Sequence, residues 1–136
     1  MAIETGDYTN VLATFTFQHS PTGLRTMMGS DVATVMRATA AADVVGANCG
    51  TELSLADYAQ LAAELVGAAG GRPVIVQPNA GSPVIEQGTV VYRTEAGEFG
   101  RAAEHFLNAG VRIVGGCCGT GPAHISALAA TVARRL

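Results

Sequence analysis

The sequence contains no lysine and no tryptophan: its eight basic residues are all arginine, and only 5% of the chain is aromatic. Without lysine there is no Schiff-base nucleophile and no Walker-type phosphate loop, so two broad enzyme classes drop out. Charge is scarce as well. The charged fraction is 14%, the net charge is −3, and no basic run occurs, which argues against nucleic acid or an anionic membrane as the main partner. A small molecule or a protein is the expected partner. No apolar run reaches the roughly 18 residues of a membrane span, and the Met1 to Asp7 stretch lacks the basic and apolar regions of a signal peptide. The expectation is therefore a cytoplasmic protein. Cysteine is also sparse. There are three, two of them adjacent, a number and spacing that build no disulfide framework and point to metal or redox use in a reducing compartment.

What is present is apolar and regularly spaced. A chain of 136 residues with 49% hydrophobic content suits a single domain with a packed core. After a short polar segment from Glu4 to Asn10, Val11 to Phe17 reads as a β-branched and aromatic strand. Gln18 to Gly23 reads as a loop. Ser30 or Asp31 is placed to cap a helix whose inward positions are Val32, Val35, Met36 and Ala40. A second strand runs from Asp43 to Asn48 and ends at Cys49. Ser54 caps the next helix, with Leu55, Tyr58, Leu61, Ala62, Leu65 and Val66 inward and Gly70-Gly71 at its end. Pro73 to Gln77 is the third strand. Pro78 to Arg93 is a long loop, and Thr94 is the expected cap of a helix with Phe99, Ala102, Ala103, Phe106 and Leu107 inward. Val111 to Val114 is the fourth strand, and Ile125, Leu128, Ala129 and Val132 mark the last helix.

Four strand–helix units thus recur at roughly 30-residue spacing, the length of a βαβ repeat. Runs such as Val74-Ile75-Val76 lack polar alternation, as parallel strands covered on both faces do. The fold class is α/β with a parallel sheet. An eight-unit barrel needs about 250 residues, so residues 1–136 form one domain equivalent to half of one, with an open four-stranded doubly wound sheet as the competing arrangement.

Both arrangements place chemistry at the carboxyl ends of strands, where Asn48-Cys49, Gln77-Pro78-Asn79 and Gly116-Cys117-Cys118 fall. Adjacent side chains on a regular strand point to opposite faces. Cys117 and Cys118 can therefore reach one metal only if the backbone leaves strand geometry, which Gly115, Gly116 and Gly119 permit. The helix opening at Pro122 is expected to favour thiolates through its positive end. Cys49, Cys117 and Cys118 then make a three-sulfur set. Three protein ligands is the count of a catalytic zinc site with one open position, and thiolates select zinc over magnesium, calcium or manganese. Zinc so held is suited to binding a further thiol as thiolate. Other readings remain for these residues: a buried small pair or vicinal disulfide for Cys117-Cys118, a metal-free redox role, and a phosphate site at Gly119-Thr120-Gly121. Asn79 suits either a turn or a substrate contact. Asn48 and His19, also at the active end, are candidates for substrate binding. Met27 and Met28 are candidates for soft apolar contacts, and Glu52 and Glu86 for holding an amino group.

Three segments carry a family resemblance. Gly46-Ala47-Asn48-Cys49, Pro78-Asn79-Ala80-Gly81-Ser82-Pro83 and Gly115-Gly116-Cys117-Cys118-Gly119-Thr120 resemble, in order and spacing, the homocysteine S-methyltransferase family, which includes betaine–homocysteine methyltransferase and the homocysteine domain of cobalamin-dependent methionine synthase. Thr14 to Phe17 with Gly23, Thr26 and Gly29 resembles that family's fifth strand and following loop, Glu4-Thr5 the end of its fourth strand, and Tyr92 a tyrosine that follows its asparagine loop. The resemblance implies that Cys49, Cys117 and Cys118 ligate zinc (Zn2+), which would activate the homocysteine thiol for attack on a methyl group and give methionine. It implies no catalytic residue beyond the zinc site and leaves the methyl donor open. It also implies a (β/α)₈ barrel, of which this chain matches strands five to eight. The missing half is then expected in trans, from a second copy in a homodimer or from a separate chain, unless the chain is a fragment of a longer protein. The alternative is a non-catalytic zinc-binding subunit that completes or regulates a partner methyltransferase.

Overall fold

A computed structural model describes residues 10–50 and 52–136; Glu4 and Thr5 lie outside them. Strands β1 (Leu12–Phe15), β4 (Val44–Cys49), β5 (Val74–Pro78) and β8 (Ile113–Val114) form one parallel sheet in the order β1-β4-β5-β8. Helices α1 (Val32–Ala38), α2 (Leu55–Ala68), α3 (Ala96–Asn108) and α4 (Pro122–Ala133) follow the four strands in turn. This is the α/β order expected, four consecutive strand–helix units whose strand neighbours are also neighbours in sequence. That order is consistent with part of a (β/α)₈ barrel and differs from a doubly wound sheet, in which the order reverses at a switch point.

Register explains the strand composition. Val45 pairs with Ala13 and Val74, and Ala47 with Phe15 and Val76. Alternation puts these residues on one face, where they join the core with Tyr58, Leu61, Leu65, Phe99 and Phe106. Each large side chain buried there contributes about 1.5–3 kcal/mol. The opposite face carries Leu12, Thr14, Gly46, Asn48, Ile75, Gln77 and Ile113 by the same alternation. At its two edges Leu12 is 54% and Ile113 38% exposed.

Several local expectations are corrected. The first strand ends at Phe15, and the residues from Phe17 turn away into an antiparallel hairpin, β2 (Phe17–Ser20) with β3 (Gly23–Thr26), in place of a plain loop. Ser20 closes its turn by donating to Gly23 O at 2.7 Å. The long segment after β5 also folds, as the hairpin β6 (Val84–Glu86) with β7 (Thr89–Val91). Gln87-Gly88, both at positive φ, form its two-residue turn. Asp31, not Ser30, caps α1 by accepting from Thr34 N. That helix stops before Ala40, so Thr39 takes the buried position and its hydroxyl donates to Val35 O at 2.7 Å. Glu95, not Thr94, occupies the cap position of α3.

The α4 stripe is rotated from the one expected. Leu128 and Thr131 are buried, Thr131 donating to Gly100 O at 3.0 Å, whereas Ile125 is 49% exposed. The reason is that α4 packs chiefly against α3. Val114, Ile125, Ala129 and Val132 consequently line an open apolar groove of about 320 Å³.

Candidate metal centre

The three cysteines come together at the carboxyl ends of two strands separated by β5. Cys49 Sγ lies 3.9 Å from Cys118 Sγ, Cys117 Sγ lies 4.0 Å from Cys118 Sγ, and all three sulfurs fall within 4.8 Å of one another. A tetrahedral zinc with Zn–S bonds of about 2.3 Å requires its sulfurs about 3.8 Å apart. The donor set and its spacing therefore fit that ion, with one position left for an outside ligand. All three cysteines are free thiols, and none is fully buried, so neither a vicinal disulfide nor a small buried pair describes them.

Local backbone makes this convergence possible. Cys49 is at φ 59 and Gly50 at φ 94, so the chain leaves β4 through two successive left-handed residues. For a cysteine that conformation costs about 1–2 kcal/mol, strain of the kind stored at functional sites. Tyr58, one turn into α2, stabilises the bend by donating its buried hydroxyl to Cys49 O. On the other side, β8 ends at Val114, Gly115 and Gly116 lead to Cys117, and Gly119 at φ 77 turns the chain again. Tyr92 fills the space where a Gly119 side chain would be.

The segment after β5 pins the vicinal pair. Cys117 N donates to Pro78 O and Ala80 N to Cys118 O, each at 2.9 Å. Cys118 N donates to Asn79 Oδ1 at 3.0 Å, while Asn79 Nδ2 faces Gly50 O at 3.5 Å. The Asn79 side chain, 5% exposed, thus touches both cysteine-bearing loops. Thr94 N to Ala80 O, at 3.1 Å, closes the base of the β6–β7 excursion.

These contacts also set the charge on sulfur. Burial opposes ionisation of Cys49, but hydrogen bonds from Asn79, Cys118, the Gly50 backbone and Cys117 outweigh it and lower the thiol below its ordinary value. Cys118 is raised, first by its hydrogen bonds with Cys49 and Cys117 and then by their charge. The turn before α4 is held by its own contacts: Thr120 N donates to Cys117 O, and Gly121 N to His124 Nδ1 at 3.1 Å. These contacts occupy two of the three backbone donors of Gly119-Thr120-Gly121, which disfavours a phosphate site there. Because His124 Nδ1 accepts, its Nε2 carries the proton and donates to Thr94 O at 2.8 Å, locking α4 to the start of α3.

Other sequence candidates are dispersed. His19 lies on β2 and contacts Asp57 Oδ2 at 3.4 Å, outside the sulfur group. Asn48 is half-buried on β4, one residue before Cys49. Met27 and Met28 are 84% and 90% exposed, Glu86 pairs with Arg93, and Glu52 is exposed. Sequence reasoning placed Tyr58 only in the helix core. A buried tyrosine needs a hydroxyl partner, and that requirement was the available clue to its contact with the Cys49 loop.

The comparisons agree with the geometry. The family model described as homocysteine S-methyltransferase matches residues 1–132, and the chain belongs to that family. It is 34% identical to the methionine synthase of Mycobacterium leprae (strain TN) and 35% identical to the methionine synthase of Mycobacterium tuberculosis (strain ATCC 25618 / H37Rv), each match covering 79% of this chain. The chain spans only 9% of the length of either relative. Among the described residues, no helix is long and apolar enough to cross a membrane.

Proposed function

We propose that the chain is the zinc-binding half of a thiol S-methyltransferase, with homocysteine as acceptor and methionine as product. The observation that carries this reading is the group of Cys49, Cys117 and Cys118 within 4.8 Å, at strand ends, in a chain of the homocysteine S-methyltransferase family. The three cysteines would hold zinc, which when bound supplies a positive charge that keeps a substrate thiol deprotonated at neutral pH. The chain's own part is geometric and electrostatic. The bends at Cys49 and Gly119 aim three sulfurs at one point, and the Asn79 amide favours the Cys49 thiolate. Asn48, beside Cys49 on the open sheet face, is the nearest polar side chain in sequence for the substrate's amino-acid group. His19 is the second candidate, held beside α2 by Asp57.

A second copy is the proposed source of the remaining barrel strands. The edges β1 and β8 belong to one parallel sheet of four strands. A two-fold axis would set each copy's β8 beside the other's β1 and close eight strands, covering Leu12, Ile113 and Ile125.

The test is methyl transfer to homocysteine by the purified chain, across methylated corrinoid, folate, betaine and sulfonium donors, together with zinc content and solution mass. Turnover with one zinc per chain, both lost in Cys117→Ala, is the expected result. Zinc without turnover for any donor favours a non-catalytic subunit, and absence of zinc overturns the reading. A monomeric mass refutes completion by a second copy.

A further inference from the structure

We infer, on the thiol-acceptor reading above, that Gln77 is a specificity-determining residue, forming with Asn48 a neutral two-amide floor that takes the amino-acid end of the substrate thiol. Sheet register places it there. Cys49 pairs with Pro78, and one position earlier Asn48 pairs with Gln77. The two amides therefore stand side by side on the open face, about 3.3 Å down the strands from the sulfur-bearing end. Both side chains are half-buried. Among the described residues neither side-chain amide has a hydrogen-bond partner, and no polar side-chain atom is sealed from solvent without one. Both amides are thus open to a ligand.

Gly115 continues the row on the far side of β5, donating its N–H to Val76 O at 3.0 Å. A Cβ built on Gly115 would lie 3.2 Å from Gln77 Cγ and 3.4 Å from its Nε2. The Gln77 side chain consequently lies across the segment leading to Cys117, over a residue with no side chain of its own, while Asn48 stands on the Cys49 side. The composition of this floor selects its ligand. None of the residues on that face of the sheet is ionisable. Each amide offers both N–H donors and a carbonyl acceptor. An amino-acid zwitterion uses both, an acceptor for its ammonium and donors for its carboxylate, and brings no net charge for a neutral floor to leave unbalanced. The two methylenes between the sulfur and the α-carbon of homocysteine span the roughly 3.3 Å of one strand residue.

The experiment reads thiol affinity without turnover, from growth of the sulfur-to-cobalt charge-transfer band when a thiol is added to the cobalt(II)-loaded chain. Wild type is expected to bind homocysteine about 10–100-fold tighter than propanethiol, the worth of one hydrogen bond to a charged group. Gln77→Leu should lose about 10-fold for homocysteine and nothing for propanethiol. Gln77→Glu keeps the size and adds a negative charge, so mercaptopropylamine should gain affinity and mercaptobutyrate lose it relative to wild type. Unchanged homocysteine affinity in Gln77→Leu, or an equal loss for both thiols, overturns the inference and leaves the metal site standing. Should Gln77→Leu fail to fold, Gln77→Glu decides, and an unaltered order of amine and acid there overturns the inference. Absence of any thiol-dependent band in the wild type overturns the thiol-acceptor reading and this inference with it.

Discussion

Gly119→Ala probes how the turn carrying the vicinal cysteines is held. Gly119 sits at φ 77, where any side chain adds about 1–2 kcal/mol of backbone strain. A Cβ built there would lie 2.1 Å from Tyr92 Cγ and 2.4 Å from Tyr92 Cβ, far inside the roughly 3.5–4.0 Å of ordinary carbon contact. The ring would have to move, an overpacking cost of about 1–3 kcal/mol. The single substitution should therefore destabilise by about 2–5 kcal/mol. Tyr92→Ala removes a half-buried ring and should cost about 1 kcal/mol on its own. In the double variant the clash disappears and the strain remains. The two effects should then fall short of additivity by about 1–3 kcal/mol. Urea unfolding measures this, read as a change in midpoint at constant slope. Far-UV circular dichroism is the suitable probe because the chain has no tryptophan. A Gly119→Ala loss below about 1 kcal/mol, or additivity within about 0.5 kcal/mol, would refute the packing described.

Three further outcomes follow from other contacts. Tyr58→Phe deletes the buried hydroxyl that donates to Cys49 O and should cost about 1–2 kcal/mol in the same unfolding assay; no loss would show that the bond does not support the Cys49 bend. Arg72 donates to Ala69 O at 2.8 Å, Thr39 O at 2.6 Å and Met36 O at 3.0 Å, tying the ends of α1 and α2 together. Arg72→Ala should cost about 2–3 kcal/mol, and Arg72→Lys should not restore it, because an ammonium cannot fork to three carbonyls; a wild-type melt for either variant contradicts this. Asp31 is lowered from 3.8 to about 2, first by its side-chain hydrogen bond to Thr34, then by the Thr34 backbone and by Arg25. A depressed acid stabilises the fold above its unfolded value and loses that contribution as pH falls from about 4 through 2. Asp31→Asn should flatten that part of the acid-unfolding profile, and an unchanged profile would show that the cap is not the titrating group.

The sequence by itself determined the order of four strand–helix units, because period-two and period-3.6 apolar patterns are local properties of the chain. It also determined which residues could bind a metal, since cysteines at strand ends beside glycines are visible without coordinates. The two hairpins were less legible. Their strands are only three or four residues long, too short for periodicity to separate them from loop. The burial of α4 was misread because the amphipathic stripe marks a face meant to be covered, while the covering layer is absent among the described residues and Thr131 lies over Gly100 instead. The role of Asn79 was the part that only tertiary structure decided. Its partners, Gly50 and Cys118, are 29 and 39 residues away in sequence, and no local pattern encodes a bond between turns brought side by side by the parallel pairing of β4, β5 and β8. Composition supplied the sulfurs. The register of the sheet decided that they stand about one metal coordination sphere apart.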